Sequence, residues 1–419
     1  MIKHKKGKNP KSTEDTIRVL IDEINEVGIT LSEKNAVCLY ELQCSFENKI
    51  RPGFIVSILQ EMKRSNESNI QAFVEQHDMK EKEYKKLKAS LTQKWEIFIP
   101  INIKPRKKKI LFEDVEILFY AKSTIKKNIS GRDFLNVRSD FGEERIKKLT
   151  SSHVLDSLSK YCLSIKCSGS DIYEAWKAAE PYYDLIRGIF EFVVSPTYQL
   201  IPPFKKRAKI GDPEIIIGSN SNNEWHYFEP ISDTHHQCFN IKFGEEQNRV
   251  LFNIINIFSK KGLKPKSFTS LLADAFRLYS QAMDSIYSYD CLINLWQMCE
   301  RMTCAGNMNG STKDVVKRLG WHSERLSLSG SGWNEALIAI SKKRNEIVHR
   351  GFTKVEDEEI NILLIVAKCT LRWLLSMNKE LNTERQLEEY YQMRTLSPSE
   401  LASKKSVISL IEKERKNSL

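Results

Sequence analysis

Apolar positions in the first 94 residues recur at helical spacing. Ile17, Val19, Leu20, Ile21, Ile24 and Val27 form one such set, with Ser12 or Thr13 placed to cap the helix and Gly28 just after it. Phe54, Ile55, Ile58, Leu59 and Met62 form a second set behind Arg51-Pro52-Gly53. Residues 79–91 are mostly charged and predict a solvated or bridging helix. The period changes at Trp95. Residues 95–103 and 110–120 are β-branched and aromatic, and they predict two strands joined by the basic connection 104–109. Residues 161–167 predict another strand. Ser170-Asp171 then caps a long helix over 172–194, with Ala175, Ala178 and Ala179 on its apolar face. Short strands are expected around 198–201, 214–218 and 225–229, the last two separated by the turn-rich run 218–223.

From 248 to 378 the helical period returns. Helices are expected over 251–258, 268–285, 289–303, 312–319, 333–349 and 360–377, with glycines 306, 310, 320, 330, 332 and 351 at loops and caps. The chain therefore reads as α+β in four regions: helical 1–94, a mixed α/β sensor or regulatory region 95–240, an all-α bundle 245–380, and a charged tail 381–419. The tail is expected to be a peripheral helix or partly disordered. The bundle has the size to bury its own core.

Composition adds a direction. Among 419 residues, 65 Lys and Arg face 54 Asp and Glu, a net charge of +11, with an isoelectric point near 9.0. Such a surface favours polyanionic partners, nucleic acid first and acidic lipid second. The apolar run 360–375 is broken by Asn361, Lys368 and Arg372, which leaves it short of a membrane span. The basic opening leads into Thr13-Glu14-Asp15 and not into the apolar stretch of a secretory signal. Nine scattered cysteines, an odd number, predict free thiols in a reducing, cytoplasmic setting.

The stretch 340–351 carries the candidate chemistry. Arg344 falls on the apolar face set by Ile340 and Ile347, four residues after the first and three before the second. His349 lies in the last turn before Gly351, beside Lys342, Lys343, Arg344 and Arg350. An imidazole and a guanidinium suit RNA cleavage with no metal or other cofactor: the imidazole moves a proton and the guanidinium stabilises the phosphorane oxygens. The attacking group is the ribose 2′-OH, so DNA would be spared. Five residues at 100° each place the two side chains about 140° apart on one helix. They converge only if the helix end unwinds or a second chain completes the site. The alternative is a cation-rich last turn that merely complements the helix dipole.

Other clusters are weaker. His235, His236 and Cys238 with Cys162 and Cys167 fit zinc spacing poorly. The carboxylates Asp114 and Glu116, and those over 356–359, read as solvated faces. No phosphate-cradling glycine motif is present. The basic stretches 104–109, 204–209 and the N-terminus are candidate RNA-backbone contacts.

Arg344-Asn345-x-x-x-His349 at a helix end, followed by Arg-Gly, resembles the R-N-x-x-x-H signature of HEPN domains, closest to the abortive-infection (ApeA-like) branch. The upstream stretches 275–279 and 295–300, with Leu295-Trp296 and a following Glu300, are similar to that branch's earlier helices. The resemblance covers about 250–380. It implies a HEPN helical bundle that dimerises and brings two R-x4-H motifs into one basic cleft. It further implies metal-independent endoribonuclease activity in antiphage defence, set off by a phage-derived trigger and acting on host RNA, tRNA included. Arg344 and His349 carry over as catalytic, Asn345 as a site organiser, and Glu300 as a further member. Lys342, Lys343 and Arg350 are expected to bind RNA. Some members of the superfamily lack nuclease activity, so a non-catalytic RNA-binding or toxin-neutralising module stands beside this reading, as does a plain dimerisation scaffold.

Overall fold

The computed structural model describes residues 9–24, 38, 42, 46, 52–65, 67–101, 109–112, 115–130, 132–140, 143–150, 161–194, 216–228, 244–285, 287–305, 311–324, 332–351 and 354–417. The expected strand at 198–201, the basic stretches 104–108 and 204–209, and His235, His236 and Cys238 lie outside them. Residues 1–92 and 93–419 form two compact units.

In the first unit, α1 (Pro10–Glu23), α2 (Pro52–Ser65) and α3 (Ile70–Leu91) gather Ile17, Leu20, Ile55, Ile58, Leu59, Met62 and Phe73 into one core. The cap of α1 is Asn9, not Ser12 or Thr13: its side chain accepts from the Lys11 amide at 3.1 Å, and Pro10 takes the first turn, where its missing N–H costs nothing. α3 starts well ahead of the expected 79, because Asn69 caps the Ala72 amide at 2.8 Å. Its leading turns bury Ala72 and Phe73, so α3 is a packing helix at that end.

The second unit opens with β1 (Gln93–Ile101), β2 (Lys109–Phe112) and β3 (Val115–Ala121), then α4 (Lys122–Ile129), β4 (Asp133–Asp140), β5 (Glu143–Thr150) and β6 (Tyr161–Gly169). Next come α5 (Ile172–Val194), β7 (Ile216–Asn220) and β8 (Trp225–Phe228). The strands form one eight-stranded sheet in the order β2-β3-β6-β1-β7-β8-β4-β5, antiparallel except where β4 meets β8. The run expected as one strand over 110–120 is a hairpin, with Phe112 paired to Val115. β1 joins neither arm of that hairpin. It lies between β6 and β7, and its last five residues are buried, as a central strand requires. The sequence reading assigned no element to α4, β4 or β5. Glu143–Thr150 is mostly charged and lacks the apolar alternation that marks a strand.

One sheet face packs on α5, which Asp171 caps through the Glu174 amide at 2.8 Å. The other face holds Phe98, Phe134, Cys162, Ile217, Trp225 and Tyr227 under Ile125 and Ile129 of α4. Cys162 and Cys167 fall on opposite faces of β6: Cys162 joins this second cluster, and Cys167 packs against the first. The two thiols do not converge on one ion. Among the described residues no group of three or more His, Cys, Asp or Glu side chains is placed to hold a metal.

The helical half comprises α6 (Glu245–Lys261), α7 (Phe268–Asp284), α8 (Ser288–Cys304), α9 (Thr312–Glu324), α10 (Gly332–Arg350), α11 (Asp357–Ser376), α12 (Glu384–Arg394) and α13 (Pro398–Asn417). A single buried cluster runs from Trp95 of β1 to Tyr391 of α12, so the regions divided at 240–245 and at 380 share one core. The tail expected to be peripheral supplies Leu387 and Tyr391 to that core, both fully buried. α11 is long and apolar enough to cross a membrane by length and composition, contrary to the expectation that its polar residues break the run. It buries Leu363, Val366, Leu371 and Leu374 completely, which is the burial of a bundle's central helix.

Sheet and bundle meet where α5 crosses α7. A Cβ on Gly188 would sit 2.0 Å from the Phe276 carbonyl oxygen, so only glycine permits that approach. The buried Arg187 next to it pairs with Asp284 at the end of α7. Gly188→Ala is expected to destabilise the second unit by about 1–3 kcal/mol through overpacking. Gly332→Ala, where a Cβ meets nothing within 4 Å, is expected to be neutral or slightly stabilising. Urea unfolding of the two variants checks the contrast.

Candidate active site

α10 runs without a break to Arg350. The Gly351 amide bonds the Ile347 carbonyl at 2.9 Å, and Gly351 takes φ +87°. The helix end therefore does not unwind between Arg344 and His349, and the separation of about 140° stands within one chain. Arg344 is half-buried and turned toward α8. Its guanidinium lies 3.4 Å from Glu300 and donates to the Asn345 side-chain oxygen at 3.0 Å. Glu300 is itself held by the Trp296 indole N–H at 2.7 Å. The spacing of α8 produces this bond, because Trp296 and Glu300 are four residues apart and share a face.

Three of the four expected catalytic residues thus meet: Arg344, Asn345 and Glu300. His349 is exposed, with no hydrogen-bond partner among the described residues. Lys342 and Arg350 are exposed beside it. Lys343 differs from the expectation of an open RNA contact. It is tied to Glu359 of α11 at 2.6 Å, and Glu359 also closes the capping box at the start of that helix. Lys109, the one described residue of the basic connection, is likewise paired, with Glu116.

The helix that carries Glu300 is anchored from the C-terminal side. Arg301 grips Glu384 of α12 through two hydrogen bonds, at 2.5 and 3.0 Å, and reaches Asp274 of α7 at 3.0 Å. Arg318 of α9 holds Glu388 at 2.8 and 2.9 Å and donates to the Thr303 carbonyl, near the end of α8, at 2.5 Å. One turn on, the buried His322 ring meets the Tyr391 hydroxyl at 2.9 Å. Sequence reasoning missed this clamp. The signal available was the set Glu384, Leu387, Glu388 and Tyr391 on one helical face. Burial pushes the Cys299 thiol far above its ordinary range and raises Cys304, which disfavours the thiolate at both.

The arrangement presents an oriented guanidinium with a carboxylate behind it and, on an adjoining face, a solvent-accessible imidazole among cations. The guanidinium can bind a phosphate oxygen and the imidazole can exchange a proton. Removing one partner of a buried, two-bonded pair leaves an uncompensated charge. Glu388→Gln is expected to cost about 3 kcal/mol, Glu384→Gln less because Arg301 keeps Asp274 at 3.0 Å, and Glu389→Gln, at an exposed pair with Arg385, is expected to leave stability nearly unchanged. Thermal and urea unfolding test the ranking.

No family model, no curated protein and no solved structure matches this chain.

Proposed function

We propose that the chain is a metal-independent HEPN-type endoribonuclease, a cytoplasmic antiphage effector whose site is completed by a second copy. The carrying observation is the Arg344 guanidinium, oriented by Asn345 and Glu300 at the end of a helix whose next turn exposes His349. In this reading the 2′-oxygen attacks the adjacent phosphorus and the P–O5′ bond breaks, which leaves a 2′,3′-cyclic phosphate and a 5′-hydroxyl. His349 accepts or returns the proton, and Arg344 stabilises the charge on the phosphorane. Lys342 and Arg350 attract the RNA backbone. Asn345 and Glu300 are positioning residues that act through Arg344.

The non-catalytic reading, an RNA-binding or toxin-neutralising module, also has an observation in its favour. The unbroken helix keeps Arg344 and His349 apart within one chain, so a monomer could bind a phosphate without cutting beside it.

Purified wild type, Arg344→Ala and His349→Ala are to be incubated with total RNA, tRNA included, with and without chelator, and the new ends mapped. The proposal expects cleavage that survives chelator, yields cyclic phosphate ends and falls at least about 100-fold in each variant. Cells carrying the same variants, challenged with phage, show whether a trigger is needed. RNA binding without cutting in either setting supports the second reading. Chelator-sensitive cleavage overturns the metal-free mechanism.

A further inference from the structure

The face shared by α9 and α12 gathers cations that no carboxylate neutralises. Lys313, Lys317 and Trp321 stand four residues apart on α9 and share one stripe. Arg394, the last residue of α12, reaches the same ring. Its guanidinium carbon lies 4.8 Å from the centre of the Trp321 ring, and the Lys317 ammonium lies 5.5 Å from it. Lys313 and Lys317 are exposed, and Trp321 and Arg394 are half-buried. The carboxylates nearby in the chain are engaged elsewhere: Asp314 accepts from the Ser311 hydroxyl at 2.7 Å, Glu388 is held by Arg318, and Glu389 by Arg385. Among the described residues Lys313, Lys317 and Arg394 have no carboxylate in an ion pair. A ring holds a cation differently from a carboxylate. The contact orders the side chain and leaves its charge uncancelled, and a guanidinium over a ring keeps N–H edges open to a second ligand. Arg394 gives one N–H to the Tyr390 hydroxyl at 3.4 Å. Ordered, uncancelled cations suit phosphodiester oxygens, and Lys313 continues the line one turn away.

α10 joins this face to the Arg344–His349 site. A Cβ on Gly320 would lie 2.5 Å from the Asn334 side-chain oxygen, so the last turns of α9 rest on the start of α10. From there Asn334, Ile338, Lys342 and His349 are all exposed and, at 100° per residue, fall within an arc of about 80°. The stripe is about 22 Å long with Lys342 midway, a length that a few nucleotides of single strand cover. We propose that Lys313, Lys317 and Arg394, ordered by Trp321, form an RNA-backbone platform, and that a strand engaged at the Arg344–His349 site is held at its far end on this face. The proposal rests on the reading that RNA is the partner. It concerns where the strand is held, and not how it is cut.

The test reads binding. Labelled polyuridylate of about 15 nucleotides, and tRNA beside it, are titrated by fluorescence anisotropy over a series of salt concentrations. The parent is the full chain carrying His349→Ala, so that cutting does not interfere. Lys317→Ala/Arg394→Ala is expected to bind at least about tenfold more weakly and to lower the single-strand salt slope by about 1.4, two phosphate contacts at about 0.7 each. The control Lys177→Ala/Lys260→Ala removes the same charge from exposed positions on α5 and α6 and is expected to stay within about twofold of the parent. Trp321→Leu is expected to weaken binding about threefold with the slope unchanged, since it frees the cations without removing them, and Trp321→Phe to restore it. Circular dichroism checks that each variant is folded. Full affinity in the double variant or in Trp321→Leu, an equal loss in the control, or a parent that binds no RNA overturns the platform. So does a double variant that loses phosphatidylserine vesicles and keeps RNA, which marks a membrane face. RNA that the wild type binds and leaves whole sinks the ribonuclease reading and leaves the platform standing. Cleavage by the wild type with full affinity in the double variant sinks the platform alone.

Discussion

The crossing of α5 over α7 joins the sheet and the helical half of the second unit into one core of described residues. α5 buries one side against the sheet and the other against the bundle, and at Gly188 its backbone lies so close to Phe276 that no side chain fits between them. The buried Arg187 pairs there with Asp284 and has Tyr183, Asp184 and Glu191 close by, so its charge is held at the crossing. Sheet and bundle are therefore a single core. α7 packs in turn on α8, which carries Trp296, Glu300 and Arg301, so the site helix inherits its placement from that crossing. α12 clamps α8 from the opposite side through Arg301 and, by way of Arg318, its last turn.

This doubly anchored α8 gives the half-buried Arg344 a definite environment. A guanidinium on an apolar helix face is costly unless it finds acceptors, and Glu300 and the Asn345 side chain provide them. His349, one and a half turns on, has no such support and faces solvent with Lys342 and Arg350. The two residues singled out by the motif thus sit in different settings: one is fixed by the bundle, the other is open to whatever approaches α10. A site split in this way suits chemistry shared with a second molecule.

Most helices and their order were legible in the hydrophobic period, because long amphipathic stretches with glycine or polar caps carry a strong local signal. The strands were legible where apolar residues run continuously, as in β1 and β6, and hidden where charge dominates, as in β5. The split of 110–120 into a hairpin depends on which neighbour each strand finds, and β1 found β6 and β7. Asn9 displaced Ser12 and Thr13 as a cap because Pro10 defines the first turn. The role of α12 was hidden for a similar reason: its charged composition reads as solvated until Arg301 and Arg318 are seen to neutralise Glu384 and Glu388.

By itself the sequence determined the α+β class, the helical half, and the placement of Arg344, Asn345 and His349 on the last turns of one helix, since spacing along a helix follows from backbone geometry alone. Only the tertiary structure decided that Glu300 reaches Arg344, that Lys343 is spent on Glu359, and that the charged tail belongs to the core. Those outcomes join residues 16 to 83 positions apart, and no local period encodes which distant side chain will neutralise a given charge.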